Sequence, residues 1–235
     1  MKVKTVYLII LTAILISFCV MMFSAFSNIT AHTSADATDD RPTVIIDAGH
    51  GGEDGGAQVD GVLEKDINLS IAEKLADTLR LCGCRVKEIR DADTAVYGED
   101  ADTLREKKVS DLKRRVEIAN ESENNILVSI HQNKFDNSAY SGAQVFYSTN
   151  NDNGRVLAEA IRSAVVSLLQ KDNTRELKPA GSEIYLLNNA TVPAVIVECG
   201  FLSNADERAK LMDNDYQSEM AYSIAMGVLE YLQSK

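Results

Sequence analysis

The sequence predicts an α/β protein: a single domain with a mostly parallel, six-stranded twisted sheet and helices on both faces. Two observations predict it. From Thr43 onward, short apolar runs alternate with amphipathic stretches of helix length. The central runs, TVIID, ILVSI and AVIVE, are almost continuously apolar, the mark of parallel strands covered on both sides. Some 195 residues follow the amino-terminal region, enough for one real core.

Thr43–Asp47 reads as the first strand, closed by Gly49. Ile67, Ile71, Leu75 and Leu79 recur every four residues, with Ala72 and Ala76 beside them, so this stretch is a helix that Gly83 stops. Arg85–Ile89 is a second strand, and residues 91–107 read as a charged loop. Leu112, Val116 and Ala119 mark a second helix ending near Asn120. Ile126–Ile130 and Gln144–Tyr147 are the third and fourth strands. Gly154–Gln170 is a long helix with Val156, Ile161, Val165 and Leu168 inward. Ile184–Leu187 and Ala194–Val197 read as the last two strands, and Asp215–Gln233 closes the chain as a helix.

An uncharged run from Val6 to Phe26 follows Lys2 and Lys4. Its 21 residues are long enough to span a bilayer as a helix. Residues 1–26 are therefore an amino-terminal membrane anchor, with a cleaved signal segment or a buried core helix as alternatives. The flanking lysines place the amino terminus inside and the domain outside the cytoplasm. Residues 27–41 are small and polar and read as a linker, so the catalytic domain is expected over 42–235.

The 24 Lys and Arg against 35 Asp and Glu give a net charge of −11, which disfavours a nucleic-acid binder. A hydrophobic content of 45% excludes a wholly disordered chain. Cys19, Cys82, Cys84 and Cys199 have neither zinc-thiolate spacing nor the density of a disulfide framework, although one bridge from Cys199 to Cys82 or Cys84 stays open.

Of the three histidines, His32 lies in the linker, whereas His50 and His131 each follow directly on a strand. A third strand ends in Glu198. The carboxyl ends of strands in open α/β sheets carry the ligand crevice. A carboxylate closing an apolar strand needs a metal, a cation or a proton. The glycines of DAGHGGEDGG permit close approach of the backbone to a ligand. No Lys-Ser/Thr pair follows them, and Glu53 and Asp54 would repel phosphate, so this is not a phosphate cradle. Two histidines call for a carboxylate as third ligand of a catalytic zinc. Asp47, Glu53, Asp54, Glu64 and Asp66 are the candidates, and Glu64 has an equal claim as a charge favoured at a helix amino end. Asp47 either orients His50 or braces the glycine turn. Arg115, Val116 and Asn120 read as structural, and Asn133 as a possible substrate contact.

DAGHGGEDGG, VLEKDINL, LKRRVEIAN, SIHQN and PAVIVECGFLSN occur in that order across residues 44–204. In these five segments the chain resembles the zinc-dependent N-acetylmuramoyl-L-alanine amidases. The resemblance implies a six-stranded α/β core and one catalytic Zn2+ ion held by His50, Glu64 and His131, with Glu198 as the catalytic glutamate. It implies hydrolysis of the amide between N-acetylmuramic acid and L-alanine, on peptidoglycan glycan strands with stem peptides. Gln132, where many relatives carry Ala, and the single domain without wall-binding repeats resemble the spore-cortex, germination-specific branch. There, stem-peptide removal precedes muramic δ-lactam formation, and some members work with an exported lipoprotein. The expected location is the outer face of the cytoplasmic membrane, including the forespore intermembrane space. Only Lys134–Ser141 separates SIHQN from GAQVFY, too short for the regulatory helix of some larger relatives. A zinc peptidase or deacylase on another amide uses the same groups, and a non-catalytic cell-wall-binding protein would be expected to lack one of them.

Overall fold

The computed structural model describes residues 41–98 and 100–235, and Ser17 before them. The expected amino-terminal anchor, 1–26, and the linker up to residue 40 thus lie, but for Ser17, outside the described residues. Among the described residues no helix is long and apolar enough to cross a membrane.

The strands are β1 (Thr43–Ala48), β2 (Gln58–Val59), β3 (Val62–Leu63), β4 (Arg85–Glu88), β5 (Asn125–Asn133), β6 (Gln144–Tyr147), β7 (Lys178–Pro179) and β8 (Ala194–Phe201). The helices are α1 (Glu64–Leu81), α2 (Leu104–Ala119), α3 (Asp152–Leu168), α4 (Tyr185–Asn189), α5 (Ala205–Leu211) and α6 (Asn214–Gln233). Six strands form one sheet in the order β4-β1-β5-β8-β6-β7. β1, β4, β5 and β8 run parallel, and β6 lies antiparallel to β8. The chain leaves β1 toward β4 on one side and returns to β5 on the other. The crevice between β1 and β5 is therefore a topological switch point, where α/β sheets bind ligands.

Strand alternation sorts the core into two faces. Val44, Ile46, Val128 and Val197 point to one, packed against Ile71 and Leu75 of α1, Leu157 and Ile161 of α3, and Ile224 of α6. Ile45, Leu127 and Ile196 point to the other, covered by Ile118 and Ala119 of α2 and Leu186 and Leu187 of α4. Three long helices shield the first face, but only α2 and one short helix shield the second. The same alternation puts Asp47, Ser129, His131 and Glu198 on this second, thinly covered face.

The structure corrects three local expectations and adds one element. Ile184–Leu187 is not a strand: Tyr185–Asn189 is a short helix, and the sixth strand is the exposed edge pair Lys178–Pro179. A four-residue apolar run reads the same in either state, and a Pro-containing edge strand carries no periodic signal. Helix α2 starts at Leu104, inside the expected loop, because Thr103 and Glu106 form a reciprocal capping box. Val156 and Leu168 of α3 are exposed, and Gly154, Leu157, Ala158 and Ala164 join Ile161 and Val165 on the buried side. Between His50 and Glu64 the chain forms the hairpin β2–β3, turning at Asp60 and Gly61, both at positive φ.

Candidate metal centre and catalytic cleft

His50 comes two residues after β1, in the left-handed region at φ 61°. A non-glycine residue held there is strained, and such strain persists only where its surroundings enforce it. Here they do. Buried Arg115 of α2 donates to the carbonyls of Ala48 (2.9 Å) and His50 (2.8 Å), and buried Arg90 donates to those of Ala48 (2.8 Å) and Gly49 (3.1 Å). Arg115 also pairs with Asp47, whose other oxygen accepts from Ser129 Oγ at 2.6 Å. Asp47 therefore braces the turn and does not bond the His50 ring. Burial pushes its carboxyl up, but the Arg115 charge and the Ser129 hydroxyl outweigh this and hold it below its ordinary value.

The hairpin returns the chain so that Glu64 opens α1. No side chain caps this helix; the Glu64 and Lys65 amides donate to the carbonyls of Ala57 (2.9 Å) and Gly55 (3.2 Å) in the glycine loop. Glu64 is 3% exposed. Its Oε2 lies 3.2 Å from His50 Nε2 and its Oε1 2.9 Å from His131 Nδ1. One ligand atom from each of the three residues lies within 4.8 Å of the others. Two glycines make this approach possible. A Cβ on Gly49 would stand 2.2 Å from the His131 ring, and one on Gly56, at φ +67°, 2.6 Å from Glu64 Oε2.

Two imidazoles and a carboxylate are a donor set suited to zinc, with a position left for water or substrate. The outer nitrogen of His50, Nδ1, lies 2.9 Å from Asp54 Oδ2, an arrangement that orients a ligating imidazole. Burial opposes charge on His50, but Asp54 and Glu64 outweigh it and hold the ring up at about 9. Burial likewise opposes charge on Glu64, yet both imidazoles hold its carboxyl far below the usual range. A metal entering this cluster displaces protons.

Glu198 of β8 pairs in register with His131 of β5, one strand over on the same face. Its Oε2 is buried and, among the described residues, has no hydrogen-bond partner. Burial pushes the carboxyl up to about 7, with nearby His131 offsetting part of that rise. Glu198 and both histidines line a cleft of about 480 Å³. Phe146, Ile184, Tyr185 and Ile196 form an apolar wall, and Tyr97, Leu104, Lys107 and Lys108 line it from α2 and the loop before it.

Of the other carboxylate candidates, Asp54 serves His50, Glu53 pairs with Lys107 at 3.0 Å, and Asp66 is exposed in the first turn of α1. Asn133 is not among the lining residues; its carbonyl accepts from Leu202 N at 2.8 Å. Among the described residues Cys82, Cys84 and Cys199 form no disulfide. Burial pushes the Cys199 thiol far up, so it is no thiolate nucleophile. Sequence reading missed Arg90, Asn68 and the wall from Tyr97, Leu104, Phe146 and Tyr185. None of them carried a signal in the local sequence: Arg90 follows the largely charged run Arg85–Glu88.

Residues 44–230 match the sequence profile of N-acetylmuramoyl-L-alanine amidase. The chain belongs to that family. This amidase is 36% identical over 192 residues to the germination-specific N-acetylmuramoyl-L-alanine amidase of Bacillus subtilis, covering 82% of this chain and 80% of the relative. Its fold superposes with a TM-score of 0.78 on the CwlD amidase of Clostridioides difficile, solved in complex with the GerS lipoprotein, at 41% identity over 82% of this chain and 99% of that one. An N-acetylmuramoyl-L-alanine amidase of Clostridium difficile 630 superposes with a TM-score of 0.71, at 33% identity over 84% of this chain and 100% of the other. The protein is thus a hydrolase of the amide between N-acetylmuramic acid and L-alanine, a bond of peptidoglycan.

Proposed function

We propose that this amidase works with one Zn2+ ion held by His50, Glu64 and His131, with Glu198 as its catalytic base and acid, during spore-cortex maturation. The observation that carries the reading is the convergence of those three ligand atoms to within 4.8 Å beside a buried carboxylate oxygen without a partner. What bound zinc supplies is Lewis acidity, a lowered water pKa and a polarised scissile carbonyl. Glu198 takes the proton of the attacking water and returns it to the departing amine of alanine. Phe146, Ile184 and Tyr185 give the cleft an apolar wall beside Glu198.

The cortex role is supported by the germination-specific relative and by the CwlD fold. On this reading, removal of the stem peptide exposes the lactyl carboxyl that a separate deacetylase needs for muramic δ-lactam. An exported lipoprotein partner is supported by the CwlD–GerS complex. Residues 1–26 hold the protein at the outer face of the cytoplasmic membrane or direct its export, residues 27–41 link, and residues 42–235 catalyse.

Mass spectrometry of peptidoglycan digested with the zinc-loaded domain tests the chemistry. Intact stem peptides with free L-alanine amino ends are expected. Cleavage at any other amide would overturn it. Spores lacking the protein should lose δ-lactam from the cortex, and an unchanged lactam content would sink the cortex role.

A further inference from the structure

Glu64 is itself held by a set of buried polar groups. Glu64 Oε1 accepts from the Gln132 amide at 3.1 Å and from Asn68 Nδ2 at 3.3 Å, and Oε2 accepts from the Ala57 amide at 2.8 Å. Asn68 lies one turn along α1 from Glu64 and is fully buried. Its Nδ2 also donates to the Gly49 carbonyl at 3.1 Å. Its Oδ1 accepts from Gln132 Nε2 at 3.2 Å, and Gln132 is 3% exposed.

This arrangement leaves Asn68 no freedom. Two acceptors face its NH2 group and one donor faces its oxygen, so the amide has a single satisfied orientation. Its flanks on α1 are Ile67, Ile71 and Ala72, all buried apolar residues. Packing alone would favour an apolar side chain here, because burying an amide costs free energy unless every polar atom is bonded. What the amide adds is a tie between two parts of the metal centre. One end of the tie is the Glu64 carboxylate. The other is the carbonyl of Gly49, the residue against which the His131 ring lies.

We propose that Asn68, oriented by Gln132, is a positioning residue of the metal centre that fixes Glu64 and the Gly49 turn relative to each other. The inference rests on the assignment of His50, Glu64 and His131 as zinc ligands. Partners that orient a ligand typically change metal affinity by about 10- to 100-fold. Asn68 holds a charged acceptor, the stronger class of hydrogen bond.

The test is the zinc Kd of the folded protein, measured by competition with a chromophoric chelator, together with the visible spectrum of the cobalt-substituted form. Asn68→Leu keeps the branch at Cγ, in a somewhat larger side chain, and removes the donors. We expect its zinc Kd to rise by roughly 10- to 100-fold, with a shifted cobalt spectrum. Gln132→Ala, which leaves Asn68 in place but unoriented, should move both readouts the same way by less. A purely structural Asn68 would lower the Tm of the metal-free variants and leave Kd and spectrum alone. Asn68→Leu with wild-type Kd and spectrum overturns the proposal. If Asn68→Leu does not fold, Gln132→Ala decides by the same two readouts. Wild-type protein that binds no zinc would instead overturn the ligand assignment, and this inference with it.

Discussion

Single residues here carry opposite burdens. Among the described residues Glu198 keeps a buried oxygen without a partner, an arrangement that costs stability and that the proposed proton transfer would use. Glu198→Gln should retain bound zinc by elemental analysis and lose about 10²- to 10⁴-fold in kcat. Activity near wild type would remove Glu198 from the chemistry. Asp47 is the reverse case, a buried carboxylate fully used by Arg115 and Ser129. Its folded pKa lies below the ordinary value, so its stabilisation is present above about pH 4 and is lost as pH falls toward the folded value. Asp47→Asn leaves Arg115 with a diminished partner set and should cost about 3–5 kcal/mol at pH 7 in urea unfolding. The variant's stability should also fall less steeply than wild type between pH 5 and pH 3. A parallel acid limb in both proteins would show that Asp47 does not carry it. Both histidines and Glu198 were legible at this scale because a polar residue ending an apolar strand has few bland explanations. Asn68 was not, since an Asn on a helix face is ordinary until its neighbours are known.

Among the elements, α2 shapes the cleft most directly. Its last turn packs Ile118 and Ala119 on the sheet, its middle supplies Arg115, and its start carries Leu104, Lys107 and Lys108 to the cleft wall. That start depends on the capping box of Thr103 and Glu106. Thr103→Ala should lower stability by about 1 kcal/mol. It should also raise KM on muropeptides more than it lowers kcat, because the wall frays while the metal ligands stay. An unchanged KM would separate the cap from the cleft. The T-x-x-E pattern was present in the sequence and marks this boundary physically, whereas apolar spacing finds only the later, packed turns of the helix. The run IYLL at 184–187 misled for a related reason. Tyr185 is 38% exposed and Leu186 and Leu187 are buried, and only their place under α2 shows the run to be one helical turn and not a strand.

For the whole molecule, the centre draws on pieces far apart in the chain: the turn after β1, the first residue of α1, the end of β5 and the end of β8. Zinc binding should therefore stabilise the complete domain and not a local segment. Zinc at about 1,000 times its Kd should add about 4 kcal/mol to unfolding, read as a rise in Tm that EDTA reverses. A Tm indifferent to zinc and chelator would argue against a centre shared by these elements. The sequence by itself determined the α/β class, the strands that bear His50, His131 and Glu198, and the family resemblance that singled out Glu64, because these follow from local apolar patterning and from ordered motifs. Tertiary structure alone decided that Glu64 lies between the two imidazoles, that Asp54 and Asn68 bond His50 and Glu64, and that one sheet face is thinly covered. Those outcomes depend on strand order and on which helices cover which face, and both are set by contacts between residues that no local pattern relates.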